Sequence, residues 1–175
     1  MTAALEQLLD ELDNRRNELR AAVDAVPAEL RERRPAPDRW SVAENVEHLA
    51  LVERRVTQGL AAQLSARASS LGPADDQPPR SFRAEAAVDR SRRFKTGGAS
   101  EPKAQMDTEA AWRLIQESRS SLLELIHTYG DRALHEITQP HPLFGPLNAY
   151  DWFAFLAAHD ARHAAQIREA AEALK

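Results

Sequence analysis

Residues 148–174 read NAYDWFAFLAAHDARHAAQIREAAEAL, a stretch with apolar residues along its whole length. Its apolar side chains recur every three or four residues, which is the spacing of one face of an α-helix. The same face carries two histidines, His159 and His163, four residues apart. The stretch therefore predicts a helix from Asn148 to about Leu174 whose histidine pair points toward the protein core.

Apolar residues recur with helical spacing in three earlier segments as well. The first predicted helix runs from about Thr2 to Val26 and ends before Pro27, because proline does not continue a helix. The second opens at Ser41, where Ser41 and Glu44 match a capping box. In that motif the serine hydroxyl accepts from the amide three residues on, and the glutamate accepts from the serine amide.

The third predicted helix begins near Asp107 or Thr108 and ends at Gly130, since glycine commonly follows the last helical residue. A long connection, residues 69–107, precedes it and contains one short piece of helical pattern over 84–94. Its charge makes it a candidate lid, and its length makes a mobile loop an equally reasonable interpretation.

The run from Thr138 to Pro146 contains three prolines and one glycine, so it is predicted to be an irregular loop. No repeat, glycine-rich phosphate loop or sustained strand alternation occurs. The chain is therefore predicted to be all-α: one domain over residues 1–175, a four-helix bundle with a long crossover between helices 2 and 3.

Composition excludes several kinds of protein. The formal net charge is −4, so no overall positive field attracts nucleic acid or a membrane surface, and neither partner is expected. The basic runs at 31–34 and 90–95 are interpreted as solvated surface. Without cysteine, any metal must bind nitrogen and oxygen ligands. No stretch is apolar for long enough to span a membrane, and no leader pattern opens the sequence, which favours a cytoplasmic location.

A third histidine, His48, lies at the edge of the apolar stripe of the second helix. Together with His159 and His163 it could supply three neutral nitrogen ligands, the usual protein share of a catalytic metal site with an open position. The alternative is that the pair are core histidines satisfied by hydrogen bonds and that His48 is a surface residue. Spacing alone does not choose between these interpretations.

The other polar and aromatic residues carry weaker signals. Glu44 and His141 are the candidate acid or base residues if they face the open position, although the capping box already explains Glu44. Asp160 and Arg162, on other faces of the last helix, are interpreted as surface ion-pair partners. Four aromatic side chains are assigned to structural roles: Trp40, His127, His135 and Trp152.

Three motifs occur in a definite order: Trp40-Ser41 with Glu44 and His48, then His141-Pro142-x-x-Gly145, then Trp152 with HDARHAAQI at 159–167. In this order and spacing, over nearly the whole chain, they resemble the DinB-like superfamily. The resemblance implies a four-helix bundle with a long crossover. It also implies a divalent metal ion, variously nickel, zinc, manganese or iron, held by residues that match His48, His159 and His163.

The resemblance also suggests activities. Some relatives use a metal to activate a small thiol such as mycothiol, bacillithiol or glutathione, and many others are described as metal-dependent hydrolases. The leading hypothesis is a hydrolase acting on a small molecule through a metal-activated water. The second is a thiol transferase in which residues 80–95 cover an anionic cosubstrate, and the third is a non-enzymatic metal-binding stress protein. A homodimer is allowed, because related bundles often pair, but no apolar stripe demands it.

Overall fold

The computed structural model describes residues 1–91 and 98–175. Its helices are α1 (Ala3–Asp24), α2 (Val42–Arg67), α3 (Ala84–Val88), α4 (Thr108–Tyr129) and α5 (Ala149–Ala173). Its strands are β1 (Thr138–His141) and β2 (Gly145–Asn148), and short 3₁₀ turns lie at Ala28–Leu30, Gly98–Ser100 and Leu134–Glu136.

The four long helices form the predicted four-helix bundle. Helix α1 packs along α5, and α2 packs along α4 and also contacts α5. The predicted capping box is present at the start of α2, where Glu44 N donates to Ser41 Oγ (3.1 Å) and Ser41 N donates to Glu44 Oε2 (2.8 Å). Helix α5 starts at Asn148, whose side chain accepts from the Asp151 amide. No helix in the described residues is long and apolar enough to cross a membrane.

A layer of four buried charges divides the core into two apolar clusters. Each long helix contributes one charge: Arg16 from α1, Glu53 from α2, Arg119 from α4 and Asp160 from α5. Both arginines contact both carboxylates, at 2.8–3.3 Å. Because two positive charges face two negative ones, no charge in the layer is buried without a partner.

The interpretation of Asp160 and Arg162 as surface residues is wrong. Asp160 is 1% exposed and belongs to the charged layer. Arg162 is 8% exposed, and its guanidinium donates to the carbonyl groups of Ala87 (3.1 Å) and Asp89. Each buried charge has partners from a segment distant in sequence, which helical spacing does not reveal.

The prediction of an irregular loop over Thr138–Pro146 is also wrong, because β1 and β2 form an antiparallel hairpin there. Pro140 lies directly opposite Pro146. Antiparallel ladders alternate between pairs that exchange hydrogen bonds and pairs that do not, so two opposed prolines fit a pair that needs no N–H donor. Gly145 provides the positive φ of 74° that starts the return strand.

The described parts of the long crossover are attached to the bundle. The carboxylate of Asp151 accepts from Ser81 N, Ser81 Oγ and Phe82 N, and Arg162 holds the chain at the end of α3. Helix α3 ends at Val88. It is therefore shorter than the helical piece predicted over 84–94, whose last three residues lie outside the described residues.

Candidate metal centre

The bundle brings His48 of α2 together with His159 and His163 of α5. The Nε2 atom of His159 lies 3.3 Å from Nε2 of His48 and 3.1 Å from Nε2 of His163. One ligand nitrogen from each ring lies within 4.8 Å of the other two. The three rings, predicted from sequence as one ligand set, thus meet at one point.

Hydrogen bonds to the far side of two rings determine which nitrogen carries the proton. Nδ1 of His48 lies 2.7 Å from the Ser100 carbonyl oxygen, which only accepts, so this nitrogen is the donor. Nδ1 of His163 donates to Asn45 Oδ1 at 2.8 Å. The Asn45 amide is oriented in turn, because its Nδ2 donates to the Ser41 carbonyl at 2.8 Å. In both neutral rings Nε2 therefore has its lone pair directed at the common point.

His159 completes the triangle in a different environment. Its ring stacks on Phe155, with centroids 5.1 Å apart and 23° between the planes. Its Nδ1 atom is buried and has no hydrogen-bond partner among the described residues. A neutral His159 can donate its single proton to one neighbour at most, so hydrogen bonding within the triangle leaves at least one Nε2 lone pair without a partner.

Burial keeps the three imidazoles neutral. The exposed fractions of His48, His159 and His163 are 4%, 9% and 4%. Burial lowers the pKa of His48, and it lowers the pKa of His159 and of His163 well below the usual value. Because the neutral ring is the form that binds metal, these nitrogens are free of competing protons at neutral pH.

The arrangement fits a divalent metal ion. Two nitrogens bound about 2.1 Å from one ion at tetrahedral or octahedral angles lie roughly 3.0–3.4 Å apart. The Nε2 separations of His159 from His48 (3.3 Å) and from His163 (3.1 Å) fall within that range. An all-imidazole set suits zinc, nickel or iron. The three-histidine cluster could thus hold a metal ion, and an ion would satisfy the lone pairs that hydrogen bonds cannot.

The weaker candidates, Glu44 and His141, are not brought into this cluster. The carboxylate of Glu44 accepts from Ser41 N and from the guanidinium of Arg34. Burial acts to raise the pKa of Glu44, but these hydrogen bonds outweigh burial and lower it. The ring of His141 packs on Phe155, with centroids 4.5 Å apart, and Phe155 in turn stacks on His159.

The side chain of His141 is occupied by its own hairpin. Its Nδ1 accepts from the amides of Leu143 (3.1 Å) and Phe144 (3.3 Å). Burial lowers its pKa to about 4. Because Nδ1 accepts these hydrogen bonds, the proton of the neutral ring is on Nε2. The ring therefore holds the turn of the hairpin together, which is a structural role. His127, on an exposed part of α4, and His135, in a 3₁₀ turn, do not join the cluster either.

Three features of the site were missed in the sequence. Trp40, assigned to a structural role, lies against two of the rings, 4.9 Å from His48 and 6.2 Å from His163 between centroids. Asn45 could have been found, because it lies three residues before His48 as a polar residue beside an apolar stripe. The Ser100 carbonyl could not, since a backbone contact from a remote segment leaves no residue-type signal.

Together the fold and the site define a class of protein: a four-helix bundle with a candidate three-histidine metal centre between its second long helix and its last. A family model described as the DinB superfamily matches residues 11–167, and the chain belongs to this family. No curated protein matches the sequence.

A solved structure has the same fold. It is described as the crystal structure of TT2238, a four-helix bundle protein, and it aligns with a TM-score of 0.61 at 20% sequence identity. The alignment covers 94% of this chain and 98% of that one. The likeness therefore confirms the bundle and its connectivity over nearly the whole length.

Proposed function

We propose that the chain binds one divalent metal ion through the Nε2 atoms of His48, His159 and His163. The observation that carries the proposal is the pair of outer hydrogen bonds, from His48 to Ser100 and from His163 to Asn45, which direct two lone pairs at the third ring. Such contacts orient metal-binding histidines in proteins generally. Membership in the DinB superfamily is compatible with metal binding.

The activity that we propose is hydrolysis of a small molecule. A divalent ion with three neutral ligands lowers the pKa of a bound water and leaves room for a substrate. The chain contributes the neutral donors and their orientation, while Trp40 and Phe155 present apolar ring faces to the imidazoles. The acidic net charge favours no nucleic-acid partner.

A thiol-dependent transferase is the second candidate. The observation that favours it is that, among residues 1–91 and 98–175, no carboxylate belongs to the histidine cluster. A water nucleophile would then have no carboxylate of the cluster to take its proton, whereas a thiol is acidic enough to bind as thiolate without one. The chain also has no cysteine, so the nucleophile would be an external thiol such as mycothiol, bacillithiol or glutathione.

Metal analysis tests the binding proposal. Protein purified without a histidine tag is stripped with a chelator, reloaded separately with zinc, nickel, manganese or iron, and assayed for bound metal. We expect about one ion per chain, and a loss of at least about tenfold in affinity for His159→Ala. His127→Ala is the matched control, because this histidine is exposed on α4. Equal metal content in His159→Ala and the wild type would refute the site.

The two activities separate in one screen of the loaded protein. Ester, amide and electrophilic substrates are assayed with and without each of the three thiols. Turnover without thiol supports the hydrolase, and turnover only with thiol supports the transferase. Metal binding with no turnover under any condition would favour the third possibility, a non-enzymatic metal-binding stress protein.

A further inference from the structure

A short segment of the crossover lies on α2 next to the candidate metal centre. We call residues 98–103 the strap. It begins with the 3₁₀ turn Gly98–Ser100 and ends at Lys103. Two neighbouring residues of α2 bind it: His48 donates from Nδ1 to the Ser100 carbonyl (2.7 Å), and Glu47 Oε1 accepts from the Lys103 amide (3.1 Å).

The carboxylate of Glu47 is buried, and within residues 1–91 and 98–175 its one hydrogen bond is the one from the Lys103 amide. Its residue is 2% exposed, and its second oxygen, Oε2, has no hydrogen-bond partner among the described residues. A buried carboxylate without a cation is costly. The hydrogen bond that Glu47 accepts from the Lys103 amide is therefore the stabilising contact of this side chain, and it holds the strap on α2.

The strap itself has little packing to keep it in place. Gly98, Ala99, Glu101 and Lys103 are exposed, and Pro102 is the one buried residue. Directly after it, Ala104 has a φ of 55°. That left-handed conformation is strained for a residue with a side chain, so the contacts around it must hold the chain there.

We propose that Glu47 is a positioning residue for the metal centre: by holding the Lys103 amide, it keeps the strap on α2 and so keeps the Ser100 carbonyl on Nδ1 of His48. This inference rests on the proposed function, since it assigns His48 as a ligand. Without the strap, His48 loses the acceptor that selects its proton position and fixes its ring. Glu47 thus acts on metal affinity through a backbone segment rather than through its charge.

Thermodynamic linkage makes the coupling between strap docking and metal binding reciprocal. If the docked strap favours metal binding, then metal binding must favour the docked strap by the same factor. Metal should accordingly slow hydrogen exchange at the amides of residues 98–101 and 103, since Pro102 has no amide hydrogen. This measurement uses the wild-type protein and needs no substitution.

Two substitutions at Glu47 separate the contact from the charge. Glu47→Gln keeps an oxygen that accepts from the Lys103 amide and removes the charge, whereas Glu47→Ala removes both. Zinc affinity is measured by competition with a chromophoric chelator, and strap docking by hydrogen exchange with and without zinc. Glu101→Ala is the matched control, because it removes an exposed carboxylate from the strap itself.

We expect Glu47→Ala to bind zinc about tenfold more weakly and to exchange faster over 98–103. Glu47→Gln and Glu101→Ala should stay within about threefold of the wild type. Equal weakening by Gln and Ala would overturn the proposal in favour of a charge effect. Wild-type affinity in Glu47→Ala, or exchange at 98–103 that zinc leaves unchanged, would overturn it as well.

The failure of this inference is distinguishable from the failure of the metal site. If the wild type binds no zinc, the proposed function falls. If the wild type binds zinc and His159→Ala does not, the site stands and the Glu47 comparison alone decides the role of the strap. Should Glu47→Ala fail to fold, zinc-dependent exchange in the wild type together with the Glu47→Gln affinity still decides it.

Discussion

Asn45 accepts a hydrogen bond from Nδ1 of His163 at 2.8 Å, while its amide nitrogen donates to the carbonyl of Ser41. One side chain thereby connects the first turn of α2 to a candidate ligand on α5. We expect Asn45→Leu to weaken zinc binding by about tenfold, because His163 loses the acceptor that directs its Nε2 lone pair. Chelator competition measures the change.

Asn45→Asp provides the comparison for this prediction. A carboxylate accepts the same hydrogen bond, so zinc affinity should stay at the wild-type level or rise, although the bond to Ser41 is lost. The thermal stability of the metal-free variants reports that loss separately. Wild-type zinc affinity in Asn45→Leu would show that the contact does not serve the site.

The charged layer in the middle of the bundle should be sensitive to the loss of one carboxylate. Glu53 contacts both Arg16 and Arg119, and its residue is 1% exposed. We expect Glu53→Gln to lower the free energy of unfolding by about 3 kcal/mol, since it leaves buried positive charge uncompensated. Urea denaturation of the metal-free protein measures this.

An exposed ion pair serves as the control for the layer. Arg20 and Asp24 form an i,i+4 pair on the surface of α1. Asp24→Asn should lower the free energy of unfolding by less than about 1 kcal/mol. If both substitutions lower the free energy of unfolding equally, burial does not strengthen the interactions among the charges of the layer.

The hairpin that precedes α5 depends on Gly145. Its φ of 74° lies in the left-handed region, and a Cβ at this position would meet open space. Gly145→Ala should therefore destabilise the protein by about 1 kcal/mol through backbone strain alone. Gly72→Ala is the matched control, because its Cβ also meets open space but its φ is not positive. Thermal unfolding should distinguish the two, and equal midpoints would contradict the explanation.

Features with a local cause were predictable from the sequence. Helical spacing of apolar residues located the four long helices, and the capping box located the start of α2. The pair His159 and His163 is also local, since four residues make one turn of α5. Spacing left the meeting of this pair with His48 open, and the resemblance to the DinB-like superfamily is what implied it.

Features that depend on remote partners were not predictable. Asp160 resembles a surface residue until two arginines from other helices are placed beside it. Pro140 argues against a strand unless its position needs no N–H donor, as its place opposite Pro146 in the hairpin allows. The contact between Ser100 and His48 uses a carbonyl group, which every residue has. Sequence patterns record the side chain at a position, but not the segment that will face it.

The pH dependence of stability should reveal His141. Burial lowers its folded pKa to about 4, below the unfolded value of about 6.5. As the pH falls, His141 therefore takes up its proton in the unfolded chain before it does so in the folded protein. The stability that the neutral His141 ring contributes is fully present above pH 6.5 and is lost as the pH falls toward 4.

His141→Asn removes the titration and keeps an acceptor near the position of Nδ1, to which the amides of Leu143 and Phe144 donate. Between pH 7 and pH 4 the metal-free wild type should lose about 3 kcal/mol more stability than this variant. The other histidines are the same in both proteins, so the difference between the two urea-denaturation series isolates His141. Parallel losses across that range would mean that the ring gains its proton without breaking the turn.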